Sequence, residues 1–320
     1  MSPPKVNTTL MLHLPPKIAE VSRKTIEKLG HRALVIRRPE EAISVIRKQP
    51  IELFLFRIED PKKDCALFQK IRATQPDCKG IAFLSPRLKS EFPLFRAHTY
   101  PDHLIPDKTP MEYSDLAVTL QKAISRDIFG MEKYGIPAEE RLTLTSSLQK
   151  PALLQKIQDY FRQRGVPERT IQKAALILDE MIMNAIFDAP ADRRGHPLYY
   201  DRDRSSVILL KPRERPEISY GMADGKLALS VTDHFGRFNK TTFFSIMNRL
   251  RRHKSIRRGP GKGAGMGLFM TFRALDEMVV NVAPEKLTEF IGLIYLHKRD
   301  WDHRRHRRAL HFFQLENARK

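Results

Sequence analysis

The stretch GPGKGAGMGL at residues 259–268 decides the fold of the second half of the chain, because five of the 15 glycines stand there at alternate positions. Glycine is required where a Cβ would clash or where φ is positive, and free N–H groups at a helix N-terminus bind anions. The apolar residues 266–275 predict such a helix. The stretch therefore indicates a phosphate site, with a flexible glycine hinge as the alternative.

Two common phosphate-binding loops do not fit this stretch. A P-loop needs Ser or Thr after its GxxxxGK lysine, whereas Gly263 follows Lys262. A dinucleotide-binding loop follows an apolar strand, whereas the basic sequence RRHKSIRR at 251–258 precedes these glycines. Other motifs must therefore decide the ligand.

Length and composition predict a cytoplasmic protein of two domains. A chain of 320 residues is long enough for about two ordinary cores. Cys65 and Cys78 show no metal-site spacing and no disulfide framework, which favours a reducing compartment. The first residues lack the features of a signal peptide, and no apolar run has the length of a membrane span, so no membrane partner is expected.

The net charge of +20 is concentrated in two segments. Residues 249–262 carry seven Lys or Arg and no acid, and residues 298–320 carry eight against three acids, together +12. The first segment adjoins the glycines, which suits a basic lid over a polyphosphate. Nucleic-acid binding and a merely solvated loop and tail are the alternatives.

Residues 1–126 alternate short apolar runs with amphipathic helical patterns, from TTLMLHL at 8–14 to SDLAVTLQKAISRD at 114–127. Such alternation predicts an α/β doubly wound domain with a parallel sheet. Its order and size resemble those of a response-regulator receiver domain.

The positions that such a receiver uses for phosphorylation are poorly filled. No acid follows the first strand near His13, and the phosphoacceptor position falls on Arg57. Ser85 fills the hydroxyl position, but the lysine expected near the fifth strand is displaced to Lys108. We therefore expect a pseudo-receiver that is not phosphorylated and serves in interaction. A shifted alignment that uses Asp60 as the acceptor is the alternative.

The second half is predicted to begin after a linker at 127–148, where the composition changes. Two helical patterns, at 150–165 and 167–190, precede apolar runs typical of antiparallel strands. This order predicts an α+β domain over 149–299, followed by a basic tail at 300–320.

Three polar features interrupt apolar elements in this half. Glu180 and Asn184 lie one turn apart on a helix that is apolar nearly all round. Asp233 ends an apolar strand, where its carboxylate can accept a hydrogen bond from the amine of adenine. Thr288 opens a later strand and can support the same base. A solvent-edge pair, a turn aspartate and simple β-propensity are the respective structural alternatives.

These motifs, taken in order over about residues 145–297, resemble those of the GHKL superfamily, which includes the ATP-binding domains of histidine kinases, gyrase and the anti-sigma-factor serine kinases. The resemblance implies a two-layer α+β sandwich, the Bergerat fold, that binds ATP and Mg²⁺. The matching motifs are Glu180-x-x-x-Asn184, Asp233-x-x-Gly236, Gly263-x-Gly265-x-Gly267-Leu268 and Thr288.

The resemblance also implies roles for these residues. Glu180 would orient or deprotonate the attacking water or hydroxyl, Asn184 would coordinate Mg²⁺, and Asp233 would bind adenine. Gly236 would let the backbone approach the base, and a lid at 239–262 would cover the phosphates. The remaining nucleotide-binding residues implied are Gly263, Gly265, Gly267, Leu268 and Thr288.

Some positions depart from the family pattern. Phe235 and Arg237 stand where glycines are common, and Asp188 stands where many relatives carry a basic or histidine residue. No histidine lies in an HE(L/I)(K/R) context, which disfavours a histidine autokinase. The layout is closer to that of the anti-sigma serine kinases.

We therefore expect an ATP-binding regulator of bacterial signal transduction, either an anti-sigma-type serine/threonine kinase or an ATP-dependent partner switch. The implied partner is a sigma factor, an anti-anti-sigma factor or a response-regulator-like protein, and a homodimer is compatible with this layout. A non-catalytic ATP-gated switch and a nucleic-acid-binding regulator are the alternatives.

Overall fold

The computed structural model describes residues 7–88, 100–106, 113–252, 266–296 and 308–316. The chain forms two units by its internal contacts, Met1–Ile128 with Arg307–His311, and Phe129–His306 with Phe312–Lys320. No helix within the described ranges has both the length and the apolar character needed to cross a membrane.

Strands and helices alternate in the first unit, as its sequence predicts. Helices α1, α2 and α3 each begin at a proline, whose fixed φ and missing N–H suit the first turn of a helix. The elements are β1 (Thr8–Leu12), α1 (Pro16–Lys28), β2 (Arg32–Ile36), α2 (Pro39–Lys48), β3 (Leu53–Ile58), α3 (Pro61–Thr74), β4 (Lys79–Leu84), β5 (His103–Pro106) and α4 (Tyr113–Ser125).

The sheet of the first unit has the strand order β2-β1-β3-β4-β5, and all neighbours are parallel. This is the order of flavodoxin-like doubly wound folds. The inner strands are nearly continuous apolar runs, as strands covered on both faces must be. The predicted α/β doubly wound class is confirmed for this unit.

The second unit has helices on an antiparallel sheet with the order β9-β10-β8-β7-β6. Helix α6 packs on β8 and β10, and α5 and α8 pack on α6. The unit is thus α+β in two layers. Its elements are β6 (Glu140–Thr143), α5 (Lys150–Gln163), α6 (Glu168–Met183), a π-helical turn (Asn184–Asp188), β7 (Glu217–Ala223), β8 (Lys226–Asp233), α7 (Lys240–Arg252), α8 (Met266–Ala274), β9 (Glu277–Ala283) and β10 (Leu287–Tyr295).

Two segments expected to be irregular contain strands. Strand β6 lies inside the predicted linker 127–148 and pairs with β7. Strand β11 (Ala309–Gln314) lies inside the predicted basic tail 300–320. In the first unit, Leu310 of β11 pairs with Leu104 of β5 in antiparallel register. Both strands are short and carry polar residues, so their pairing depends on tertiary contacts rather than on a strong local pattern.

Candidate functional site

The end of β1 carries no acid for Mg²⁺, and the acids after β3 are engaged with Arg57 and with the start of α3. His13 follows β1 with φ of 53°, and its Nε2 lies 2.6 Å from the carbonyl oxygen of Arg37. Arg57 lies in β3, with its Nη1 3.5 Å from Glu59 Oε1. Among the residues described in the structure, no group of three or more His, Cys, Asp or Glu could hold a metal ion.

Asp60 acts as the N-cap of α3. Its Oδ1 accepts hydrogen bonds from the N–H groups of Lys62 and Lys63, at 2.9 and 3.3 Å. Capping of free helix N–H groups explains this aspartate without phosphorylation. Ser85 is fully buried after β4, and its Oγ accepts a bond from Arg87 N at 3.4 Å, whereas Lys108 lies outside the described residues.

In the second unit, Asn184 lies where α6 changes to the π-helical turn. The turn is closed by a bond of 3.1 Å from Ala189 N to the Asn184 carbonyl, five residues back. Turns of this kind occur frequently at functional sites. The Asn184 side chain is half-buried, and it makes no hydrogen bond to the part of the chain that the structure describes.

Asp233 ends β8 and turns its carboxylate back onto the following backbone. Its Oδ1 accepts hydrogen bonds from Phe235 N at 2.9 Å and from Gly236 N at 3.4 Å. Thr288 is the register partner of Asp233 on β10. The Thr288 hydroxyl is buried beside the Asp233 carboxyl group, although the geometry between them falls short of a regular hydrogen bond.

A cavity of about 620 Å³ lies in the second unit between α6, α7 and the sheet. Three of the predicted site residues, Asn184, Asp233 and Leu268, line it. The structure thus brings together residues from three separate sequence motifs. Lining residues that the sequence analysis missed include Tyr200, Phe238, Thr241, Thr242 and Ser245.

Helix α7 forms most of the described part of the predicted lid at 239–262. Three of its residues with hydroxyl groups, Thr241, Thr242 and Ser245, line the cavity. The only sequence signal for them is a run of small polar residues at the start of a basic helix, which is common on solvated surfaces. The rest of the predicted lid lies outside the described residues.

Gly267 and Glu180 pack against each other, although neither lines the cavity. A Cβ at position 267 would lie 1.8 Å from Glu180 Cδ, so the carboxyl group occupies the space of the missing side chain. These two residues, which belong to two of the predicted motifs, are therefore in direct contact in the structure. Gly263 and Gly265 lie outside the described residues.

Gly236 packs closely against backbone atoms of the unit, which is a different role from the predicted approach to a base. Its φ is 60°, and a Cβ would lie 2.1 Å from Ala283 O and 2.6 Å from Lys286 N. Glu285 N donates to Gly236 O at 3.2 Å. Gly236 thus packs on the β9–β10 turn and does not line the cavity.

Arg204 links two carboxylates beside the cavity. Its Nη1 lies 3.3 Å from Glu180 Oε1, and its Nη2 lies 3.0 Å from Asp188 Oδ2. Burial raises the pKa of both carboxyl groups, and the Arg204 charge opposes this rise.

The pKa of the Asp233 carboxyl group lies well above the ordinary value of an aspartate. Burial raises its pKa to about 6, while the N–H groups of Phe235 and Gly236 and the Thr288 hydroxyl act in the opposite direction. Only 8% of the residue is exposed. Asp233 therefore changes charge within the range of mildly acidic solutions.

Comparisons with solved structures find similarity of the N-terminal part of the chain to response regulators. A response regulator from Thermotoga maritima shares 18% identity over 38% of this chain and 98% of its own, with a TM-score of 0.33. A CheY-like response regulator receiver domain from Methylobacillus flagellatus shares 18% identity over 37% of this chain and 99% of its own, with a TM-score of 0.30. No family model and no curated protein matches the chain. At these TM-scores the fold of the first unit rests on its own strand order.

Proposed function

We propose that the second unit is an ATP-binding domain of the GHKL type, and that the chain is an ATP-dependent regulator of bacterial signal transduction. The observation that carries the proposal is the cavity that Asn184, Asp233 and Leu268 line together. The first unit would serve as an interaction domain for a regulatory protein partner.

The residues present fit an adenine nucleotide. The volume of about 620 Å³ lies within the usual range of ligand sites. Asp233 Oδ1 is held by two backbone N–H groups, which leaves Oδ2 to accept a bond from an adenine amine. The buried Thr288 hydroxyl acts on the Asp233 carboxyl group and, because a hydroxyl is both a donor and an acceptor, it can also bind the base.

Asn184 fits the role of a Mg²⁺ ligand by its chemistry. Its amide oxygen is a hard donor, and it faces the cavity without a described hydrogen-bond partner. The carboxylates of Asp188 and Asp233 would repel the negative phosphate groups of ATP. Mg²⁺, when bound with ATP, would neutralise part of that phosphate charge.

Substitution of two residues that line the cavity tests the proposal. Asp233→Ala is expected to lower the affinity for both ATP and adenosine by about 10- to 100-fold, because a charge-assisted hydrogen bond to the base is lost. Asn184→Ala is expected to lower Mg²⁺-dependent ATP affinity by a similar factor and to leave adenosine affinity within about twofold. Titration calorimetry measures all of these affinities.

Asp77→Ala is the control, because this aspartate is exposed and lies in the first unit. Its affinities should equal those of the unchanged protein. Absence of ATP binding by the unchanged protein, or full ATP binding by both cavity variants, would rule out the proposed site.

The affinity for adenosine is expected to fall at acid pH. Asp233, with its pKa of about 6, accepts a bond from the adenine amine best when ionised. Affinity should therefore be constant above about pH 7 and fall towards tenfold per pH unit below pH 6. Adenosine is the suitable probe because it has no phosphate that titrates near pH 6. An Asp233→Asn variant with the same pH profile would contradict this assignment.

The contribution of Asp233 to protein stability changes with pH in the opposite direction to the adenosine affinity. The folded-state pKa of Asp233 lies above its ordinary value of 3.8, so the folded protein holds a proton that the unfolded chain releases between about pH 4 and 6. The contribution of Asp233 to the free energy of unfolding thus decreases as the pH rises through this window, and it is constant above it.

The kinase and the non-catalytic switch differ in the role of Glu180. In a kinase, the γ-phosphoryl group would pass to a Ser or Thr hydroxyl, Glu180 would take the hydroxyl proton, and ADP would leave. The ion pair between Glu180 and Arg204 instead favours a switch that binds ATP without transfer. Labelled ATP incubated with candidate partners decides between them: transfer that Glu180→Gln abolishes supports the kinase, and ATP binding without transfer supports the switch.

A further inference from the structure

Arg204 is the only cation of the described residues that forms an ion pair with Glu180 or Asp188. Asp188 lines the cavity, so the guanidinium group lies one hydrogen bond of 3.0 Å from the cavity wall. Both carboxyl groups are largely withdrawn from solvent, with side-chain exposures of 29% and 35%. Without Arg204, this end of the cavity would carry two partly desolvated negative charges.

A local turn presents Arg204 to these carboxylates. Asp203 Oδ1 accepts hydrogen bonds from Ser205 N at 2.8 Å and from Ser205 Oγ at 2.6 Å. Ser206 N donates to Asp203 O at 2.9 Å, and Ser206 O accepts a bond from Ser147 Oγ at 3.3 Å. The backbone on both sides of Arg204 is therefore fixed, which lowers the entropy lost when its side chain binds a ligand.

The guanidinium group retains binding capacity. It has five N–H donors, of which the two bonds to the carboxylates use two, and its side chain is 41% exposed. Its planar fork matches the oxygens of a phosphate group. Arg237 also lines the cavity, but its Nη2 donates to Gly195 O at 2.6 Å, and it follows Asp233 by four residues at the end assigned to the base.

We propose that Arg204 binds the phosphate groups of the nucleotide and supplies the positive charge that position 188 does not. The inference rests on the proposed function of the cavity. Arg204 would keep its bond to Asp188 and direct its free N–H groups to phosphate oxygens. Asp188 is then the residue that orients Arg204.

The test compares ATP with adenosine by titration calorimetry in the presence of Mg²⁺. Arg204→Ala is expected to lower ATP affinity by about 10- to 100-fold, because a charge-assisted contact is lost, and to leave adenosine affinity within about twofold. Arg204→Lys should recover part of the loss, since it keeps the charge but not the fork. Arg202→Ala is the matched control, an exposed arginine two residues away whose guanidinium lies over the Tyr199 ring.

A triple variant protects the test against misfolding. Arg204→Ala leaves Glu180 and Asp188 unpaired, whereas Arg204→Ala combined with Glu180→Gln and Asp188→Asn removes both charges at nearly constant shape. The triple variant should still bind ATP at least tenfold more weakly than the Glu180→Gln, Asp188→Asn protein. Unchanged or higher ATP affinity, or an equal loss for adenosine, would overturn the role of Arg204 alone. A wild-type protein that binds neither ligand would overturn the proposed function as well.

Discussion

Gly236→Ala is expected to destabilise the second unit by about 3–5 kcal/mol, the sum of backbone strain and overpacking. The φ of 60° is costly for any residue with a Cβ, and the new methyl group would lie within 2.8 Å of three backbone atoms of the β9–β10 turn. Backbone atoms cannot move aside as the end of a side chain can. The turn would therefore have to separate from the loop after Asp233.

Gly165→Ala is the matched control for this substitution. Gly165 has φ of 73° in the same unit, but no atom lies within 4 Å of the added Cβ. It should cost only the strain of the positive φ, about 1–2 kcal/mol. Urea unfolding followed by circular dichroism measures both, with hydrogen exchange of β8 and β10 amides to assign the second unit. Equal losses for the two variants would show that the close backbone packing has no effect.

Glu289→Ala is expected to cost a similar 3–5 kcal/mol, because it leaves several buried donors without an acceptor. Glu289 is 6% exposed in β10. Its Oε1 accepts a bond of 3.0 Å from Ser230 Oγ, and its Oε2 accepts bonds from Asn281 Nδ2 at 2.8 Å and Gly130 N at 3.0 Å. One side chain thus joins strands β8, β9 and β10 to the first residues of the unit.

Glu217→Ala is the control for this loss, since Glu217 is an exposed strand residue of the same sheet. The free energy of unfolding of the Glu217→Ala variant should stay within about 0.5 kcal/mol of that of the unchanged protein. Hydrogen exchange should also be faster near Gly130 in Glu289→Ala. A loss below about 1 kcal/mol would mean that water satisfies the three donors in place of the carboxylate.

The sequence predicts elements best where the local pattern is long and periodic. The alternation over 1–126 predicts the first unit, since parallel strands buried on both faces must be apolar runs. Strands β6 and β11 lie in segments predicted to be a linker and a basic tail, because the sequence around them is rich in charged residues and turn formers. Their pairing is set by neighbours distant in the chain.

Some residues of the candidate site can be recognised in the sequence, and others cannot. Asn184 and Asp233 are polar residues inside apolar elements, and a buried polar group needs a partner or a ligand, so both are conspicuous in the sequence. Arg204 is not, because it lies among other charged residues and its two carboxylates are 24 and 16 residues away. The contribution of α7 likewise depends on how its helix packs.

The π-helical turn at Asn184–Asp188 makes the site sensitive to chain length as well as to composition. A π-helical turn inserted in an α-helix holds one residue more than the regular helix would. Loss of one residue between Asn184 and Asp188 would restore the regular helix without changing the direction of the chain after it, because the widened turn absorbs the extra residue. The distance between the Asn184 and Asp188 side chains would change, although every side chain that defines the site would still be present. A search for relatives by residue identity alone would not detect such a change, whereas the spacing between the two positions would.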